Sequence, residues 1–275
     1  MRIEKLELSE WRDILPETGV EAFHTPEALR VLKRHTPGEL QLLGGFKGEE
    51  PIGLFPIHVR SKLGGRLLTS PPLDLGIGRL GPVTMPSSSK QRKRETTNEK
   101  FIHSVLEEVG YDSNPSLMRL SCSPNYTDPR PFQWNGFEIS PAFTYRIDTD
   151  GIDSEQLLQS FSRDLRREVR KRDEVDVSIR RGDMRDVKHT YDALRDRYRE
   201  QEYSLPLEWE FVRDLFEALD DRIRVYIAES ADGTFISGMI ILYSNDTAYF
   251  WKGGAKTQRT VSPNSLLHWR VLEDI

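Results

Sequence analysis

The sequence predicts a mixed α/β protein built as two tandem modules, each a mostly antiparallel central sheet flanked by helices. Three observations lead there. Strand-sized apolar runs alternate with amphipathic helical stretches along the whole chain. A length of 275 residues suits one large domain or two ordinary ones. The segments LLGGFKGEEPIGLFPI (42–57) and IAESADGTFISGMIIL (227–242) share a layout of strand, turn and strand, each behind an amphipathic helix. Gly48 and Gly233 fall in the turns, and Gly53 and Gly238 follow at the same distance in the second strands. The expected boundaries are 1–142 for the first module and 143–275 for the second.

The elements follow from pattern and punctuation. Residues 2–8 read as a first strand, and 25–35 as a helix with Thr25 as cap and Pro26 in its first position. Strands at 40–46 and 52–59 flank the turn KGEEP. A Gly/Pro-rich stretch over 64–86 reads as loop, and the basic PSSSKQRKRETTN after it as a solvated loop. A helix at 98–109 and a strand at 117–122 complete the first half. The second opens with a strand at 143–148, then one long helix from Asp153 or Ser154 to about Asp173. A strand at 175–180, helices at 183–202 and 207–219, and strands at 224–229, 235–243 and 247–252 come next. Ser262-Pro263 starts a last helix that carries no stop signal, so the second module is expected to be incomplete at its C-terminal end.

Composition narrows the function classes. The net charge of −5 argues against a general nucleic-acid coat, which needs a basic surface, although local basic patches remain possible. Cys122 is the single cysteine, so no intrachain disulfide can form and a cysteine-rich zinc site is not expected. The charged start MRIEKLELSEW lacks the apolar core of a signal peptide, and no apolar run is long enough to span a bilayer; a soluble cytoplasmic protein without membrane insertion is expected. The six histidines are scattered with no metal spacing, and no G-x-S-x-G elbow occurs.

One motif tempts and fails. GIGRLG (76–81) spells the dinucleotide fingerprint, but prolines precede it where a strand is needed and PVTMPSSS follows where a helix is needed. A nicotinamide oxidoreductase is therefore rejected, and the glycines read as tight turns that let the loop pack closely.

A stronger phosphate candidate is TVSPNSLLHW (260–269), where three strands lead into a helix start. Helix-start N–H groups and the helix dipole attract anions, and Ser262, Asn264 and Ser265 add side-chain donors; ordinary capping by Ser262 is the alternative. On FSRDLRREVRKR, Arg163, Arg166, Arg167 and Arg170 share one helix face. That face reads either as internally paired and solvated or as a surface for an anionic substrate. In TAYFWKGG, alternation places Tyr249 and Trp251 on one strand face and Ala248, Phe250 and Lys252 on the other, a pattern that by itself reads as core.

The segments FSRDLRREVRKRD, RVYIAESADGTFISGMIILYSNDTAYFWKGG and SPNSLLHWRVLEDI resemble the GNAT-fold acyltransferases of the Fem-like and CelD-like kind, whose relatives contain tandem GNAT modules. The resemblance covers the second half in sequence and the first only in architecture. It implies an N- or O-acyltransferase in which an acceptor amine or hydroxyl attacks an activated acyl carbonyl. A backbone N–H would hold the oxyanion. Acyl-CoA is the implied co-substrate, with its phosphates at Ser262, Asn264 and Ser265; no tightly bound cofactor or metal is required. Tyr249 is the first candidate acid for the leaving thiolate, with Tyr243 and then Tyr226 behind it. Trp251 and the Arg163–Arg170 stripe are the substrate-binding candidates, facing a small molecule or a cell-envelope precursor, or the tRNA of an aminoacyl-tRNA donor. Two departures accompany the resemblance: QRTVSPNSL lacks the glycines of the usual GNAT phosphate loop, and related sequences continue past this helix. The rival class is a non-catalytic GNAT-like module that binds an anionic polymer or RNA.

Overall fold

The computed structural model describes all residues except 63, 86–87, 113–115, 173–175 and 256–262, and all side chains of the rest but that of Lys62. The chain divides into two compact units: Met1–Ala142 with Ser244–Thr247, and Phe143–Tyr243 with Ala248–Ile275.

In the first unit, β1 (Arg2–Lys5) leads into α1 (Leu8–Ile14) and α2 (Pro26–His35). Thr25 caps α2 as expected, its hydroxyl accepting from the Ala28 N–H with Pro26 in the first turn. The short helix α1 cuts off the expected strand: Glu7 and Glu10 form a reciprocal capping box, and Trp11 buries its ring while its indole N–H donates to the His24 carbonyl at 2.7 Å. Strands β2 (Glu39–Lys47) and β3 (Glu50–Lys62) form a hairpin whose turn needs Gly48 at φ +64°. β4 (Gly65–Ser70), β5 (Val83–Thr84), α3 (Gln91–Glu108), β6 (Ser116–Leu120) and α4 (Arg130–Trp134) follow. The sheet runs β1-β2-β3-β4-β6, antiparallel except for the parallel β4–β6 pair, with β5 on β3. Gly45 and Gly53 stand opposite each other, and a Cβ on either would lie 2.5–2.6 Å from the Phe101 ring, so bare backbone lets α3 seat that ring on the sheet.

Two expectations are corrected in this unit. Residues 65–70 form β4 within what reads as loop, because the flanking glycines and prolines outweigh the short GRLLTS run whose Leu68 fills the core. The basic stretch expected as solvated loop is helical from Gln91: its Gln, Arg, Lys and Glu are good helix formers, but they face solvent and so carry no apolar period.

GIGRLG serves as a bracket. Arg79 pairs with buried Glu21 at 3.0 Å, Ser121 donates to the Gly78 carbonyl at 2.6 Å, and Leu80 bridges to Cys122. Gly81, at φ +73°, sits so close to Cys122 that a Cβ would meet its Cα at 2.9 Å.

The second unit comprises α5 (Ser154–Ser160), α6 (Arg163–Arg170), β7 (Ser178–Arg181), α7 (Met184–Glu200), α8 (Trp209–Leu219), β8 (Ile223–Glu229), β9 (Phe235–Tyr243), β10 (Ala248–Ala255) and α9 (Pro263–Glu273). Its sheet is antiparallel in the order β7-β8-β9-β10. Asp183 and Asp186 form a capping box on α7, and Arg180 clasps Asp186 at 2.8 Å. One sheet face packs on α7, where Gly238 and Gly254 leave room for the helix. The other packs Tyr226, Met239 and Ile241 against Leu267 and Val271 of α9.

Two further expectations fail here. Residues 143–148 form no strand: Phe143 and Tyr145 are 94% and 102% exposed, and among the described residues no neighbouring strand pairs with them. Alternation marks a segment able to enter a sheet but does not supply a partner edge. The long helix expected after Asp153 is two helices, α5 and α6. Phe161 is extended, Ser162 caps α6 by accepting from the Leu165 N–H, and Arg166 donates to the Gln159 and Phe161 carbonyls at 3.0 and 2.7 Å.

Both units place a strand, helices and three antiparallel strands in the same order before a further helix, with the short β5 intervening in the first unit. The echoed turn glycines, Gly48 and Gly233, share positive φ. The strand glycines do not superimpose in register: Gly53 pairs with Gly45, Gly238 with Ile227. Gly53 lies against Phe101 of α3, the helix after β5, and Gly238 against Thr190 of α7, the helix after β7.

Candidate active site on the last strand and helix

Strand β10 is an outer strand of the second sheet, hydrogen-bonded to β9 on one side, so among the described residues its other edge is open. Its ladder is interrupted. Phe250 pairs with Ile241 and Lys252 with Ile240, leaving Trp251 as the extra residue of a bulge. The bulge corrects the expected alternation. Tyr249, opposite Leu242, and Lys252, opposite Ile240, share the face that packs on α7, and Trp251 packs toward the same side with its ring 6.3 Å from that of Phe211 on α8. Phe250 points to the α9 side, its ring 5.8 Å from that of His268. The Tyr249 hydroxyl is shut off from solvent. Burial pushes the Lys252 ammonium below its ordinary value, and Lys252 lies over the Trp251 ring.

The other tyrosine candidates occupy the opposite face. The Tyr226 and Tyr243 hydroxyls lie 3.1 Å apart, and the Arg224 guanidinium stacks 4.4 Å from the Tyr243 ring centroid. Burial, followed by the Tyr226 hydrogen bond, pushes the Tyr243 phenol well up, so it holds its proton. Burial alone would lower the Arg224 pKa, but hydrogen bonds to Tyr226 and Tyr243 raise it overall. Arg224 has no ion-pair partner among the described residues, and its Nε is buried without an acceptor. Sequence reasoning missed Arg224 and the facing of Lys252. A charged residue at an inward-alternating position of RVYIAE was the available signal for Arg224; nothing in TAYFWKGG signals the bulge.

At the helix start, Pro263 is buried, Asn264 exposed and Ser265 half-buried in the first turn of α9; the Ser262 candidate lies outside the described residues. The arginine stripe on α6 is largely engaged locally. Arg166 caps α5, Arg167 lies 3.6 Å from Asp164, and Arg170 reaches Glu155 at 2.9 Å.

An antiparallel sheet of this order, a bulged outer strand and the helix next described after it occupy the stretch that a protein-family model covers. The model is the acetyltransferase (GNAT) domain, and it matches residues 159–275. Residues 159–275 form a GNAT-family domain. The whole chain shares its fold with a crystal structure of FemX, at a TM-score of 0.66 and 11% identity, covering 100% of this chain and 85% of that one. A second similar fold is the C-terminal domain of a putative lysylphosphatidylglycerol synthetase from Agrobacterium fabrum, at a TM-score of 0.51 and 8% identity, covering 90% of this chain and 73% of that one. No curated protein sequence matches the chain.

Within the GNAT domain, then, lie Tyr249, Tyr243, Trp251, the α9 start and the arginine stripe, while GIGRLG lies outside it. Among the described residues no group of three or more His, Cys, Asp or Glu side chains could hold a metal ion, and no helix is long and apolar enough to cross a membrane.

Proposed function

We propose that the GNAT domain transfers an acyl group from acyl-CoA to an amine or hydroxyl acceptor, with the thioester carbonyl held along the open edge of β10. The bulge at Trp251, on an outer strand that leads toward the start of α9, is the observation that carries this reading. A bulge breaks the ladder and turns backbone N–H groups away from β9, and such donors stabilise the oxyanion that forms when the acceptor attacks the carbonyl. The acceptor–carbon bond forms, the carbon–sulfur bond breaks, and the departing thiolate takes a proton from Tyr249. The attacking group then returns its proton to Tyr249, leaving the domain unchanged. Tyr249 is preferred to Tyr243 because it stands on the reacting strand, beside the bulge, whereas the raised pKa of Tyr243 makes it a poorer proton donor. The CoA pyrophosphate sits at the first turn of α9, near Asn264 and Ser265, where helix-start N–H groups and the helix dipole favour an anion. The acceptor stays at the level of a small molecule or cell-envelope precursor.

Acetyl-CoA titration calorimetry of the wild-type chain and of Ser265→Glu tests this. A carboxylate in the first turn favours the helix but repels a pyrophosphate. Wild type is expected to bind acetyl-CoA, and Ser265→Glu to bind at least about tenfold more weakly with an undiminished Tm. A wild type that ignores acetyl-CoA, or a variant that binds as well, rejects the reading.

A further inference from the structure

The first unit carries a feature that acyl transfer by the second does not use. A groove of about 990 Å³ runs between the N-terminal half of α3 on one side and the start of β1 with the β2–β3 turn on the other. Lys90 at the cap of α3 and Arg92, Lys93 and Lys100 within it line the groove, facing Lys47 at the end of β2. All five are exposed, and none makes an ion pair among the described residues. Arg2 lines the groove too, but Glu4 and Glu49 already neutralise it.

These charges lie where helix electrostatics oppose them. The N-terminal turn of a helix favours acids, yet α3 has no acidic residue there, and its cap, Lys90, makes no side-chain cap bond. Lys90 and Lys93, one turn apart, repel each other as well. A chain with a net charge of −5 thus concentrates five unpaired cations in one concavity, an arrangement that an anionic ligand relieves.

We infer that this groove binds a chain of consecutive phosphates, as in inorganic polyphosphate or a nucleoside triphosphate. A single phosphate carries too little charge to match the cluster. A groove of this volume suits a compact ligand, and its concavity does not suit a flat membrane surface. Lysine ammonium groups, which supply four of these five cations, act as point charges and select charge density over planar shape. Phe46, the aromatic ring of the lining, is already covered by Arg2 at 5.3 Å, so no free platform stacks a base. Recognition therefore falls on the phosphates themselves, and this inference stands or falls independently of acyl transfer.

Titration calorimetry of the whole chain with inorganic tripolyphosphate, orthophosphate and ATP tests it. Tripolyphosphate is expected to bind one per chain, with orthophosphate at least about tenfold weaker. The triple variant Lys47→Gln, Lys93→Gln, Lys100→Gln should weaken tripolyphosphate by at least about tenfold, whereas the double variant Arg163→Gln, Arg167→Gln in the other unit should leave it unchanged. Relief of repulsion at the helix start should keep the triple variant's Tm at or above wild type, which separates lost binding from lost folding. ATP matching tripolyphosphate supports the inference with a nucleotide as source; ATP binding poorly supports it with free polyphosphate as source. Absent tripolyphosphate binding, or binding that survives the triple variant, overturns it. So does an RNA oligonucleotide or an anionic vesicle held by the same lysines that tripolyphosphate cannot displace.

Discussion

His24 is fully buried, with its Nδ1 accepting the Glu21 N–H at 3.0 Å and its Nε2–H donating to the Gly81 carbonyl at 3.2 Å. That pattern demands the neutral imidazole, because a proton on Nδ1 would remove the acceptor. Burial lowers its pKa to about 4 despite those bonds. Between that value and the ordinary 6.5 the unfolded chain holds a proton that the folded chain lacks, so folding weakens as pH falls through this window. The loss amounts to about 3 kcal/mol by pH 4, measurable as a falling urea midpoint, and His24→Gln should flatten that pH dependence. At the candidate site, Tyr249→Phe should lower kcat by about a hundredfold with acetyl-CoA affinity retained, while Tyr243→Phe should change kcat by less than about tenfold. Equal losses from the two would place the acid elsewhere, since the two rings face opposite sides of the sheet. Thr25 as a cap was readable from its position before Pro26, whereas no local signal marks His24, since its burial depends on Gly81 far along the chain.

The packing of α7 on β9 and β10 depends on two glycines for different reasons. A Cβ at Gly238 would meet the Thr190 hydroxyl at 1.9 Å, a side-chain atom, while one at Gly254 would meet the Thr190 carbonyl and Leu194 amide at 2.4 and 2.6 Å, both backbone. Each alanine substitution should cost about 1–3 kcal/mol in thermal or denaturant melts. Adding Thr190→Ala should restore much of the Gly238→Ala loss but little of the Gly254→Ala loss; equal rescue would mean that the helix simply shifts. Elements with a clear apolar period and clean punctuation, such as β8, β9 and α2, were legible in sequence. The α5–α6 break was not, because Ser162 is as acceptable within a helix as at its cap and the decision rests on Arg166 reaching the α5 carbonyls. The Trp251 bulge, which turns Lys252 to the α7 face, is likewise a matter of pairing with β9.

At the scale of the whole chain, two units with separate sheets follow one another through residues 138–148, which form neither helix nor strand and expose Phe143 and Tyr145 fully. Proteases need an extended, unbonded substrate strand, so chymotrypsin under native conditions should cut first after Phe143 or Tyr145. First cuts elsewhere, at exposed Tyr203 for instance, would show that this segment is protected.

The sequence by itself determined the alternation of helices and strands, the repeated strand–turn–strand layout and the rejection of GIGRLG as a nucleotide loop. Each of these rests on local pattern: apolar period, glycine and proline placement, or a missing strand and helix. Its −5 net charge also argued against a general polyanion coat, which a local groove does not contradict. Only the tertiary structure decided that residues 143–148 lack a sheet partner, that Lys252 joins Tyr249 on one face, and that Arg224 stacks on Tyr243. It alone brought Lys47 beside Lys90, Lys93 and Lys100. Pairing edges, bulge registers and the meeting of distant charges are long-range contacts, and no window of neighbouring residues contains them.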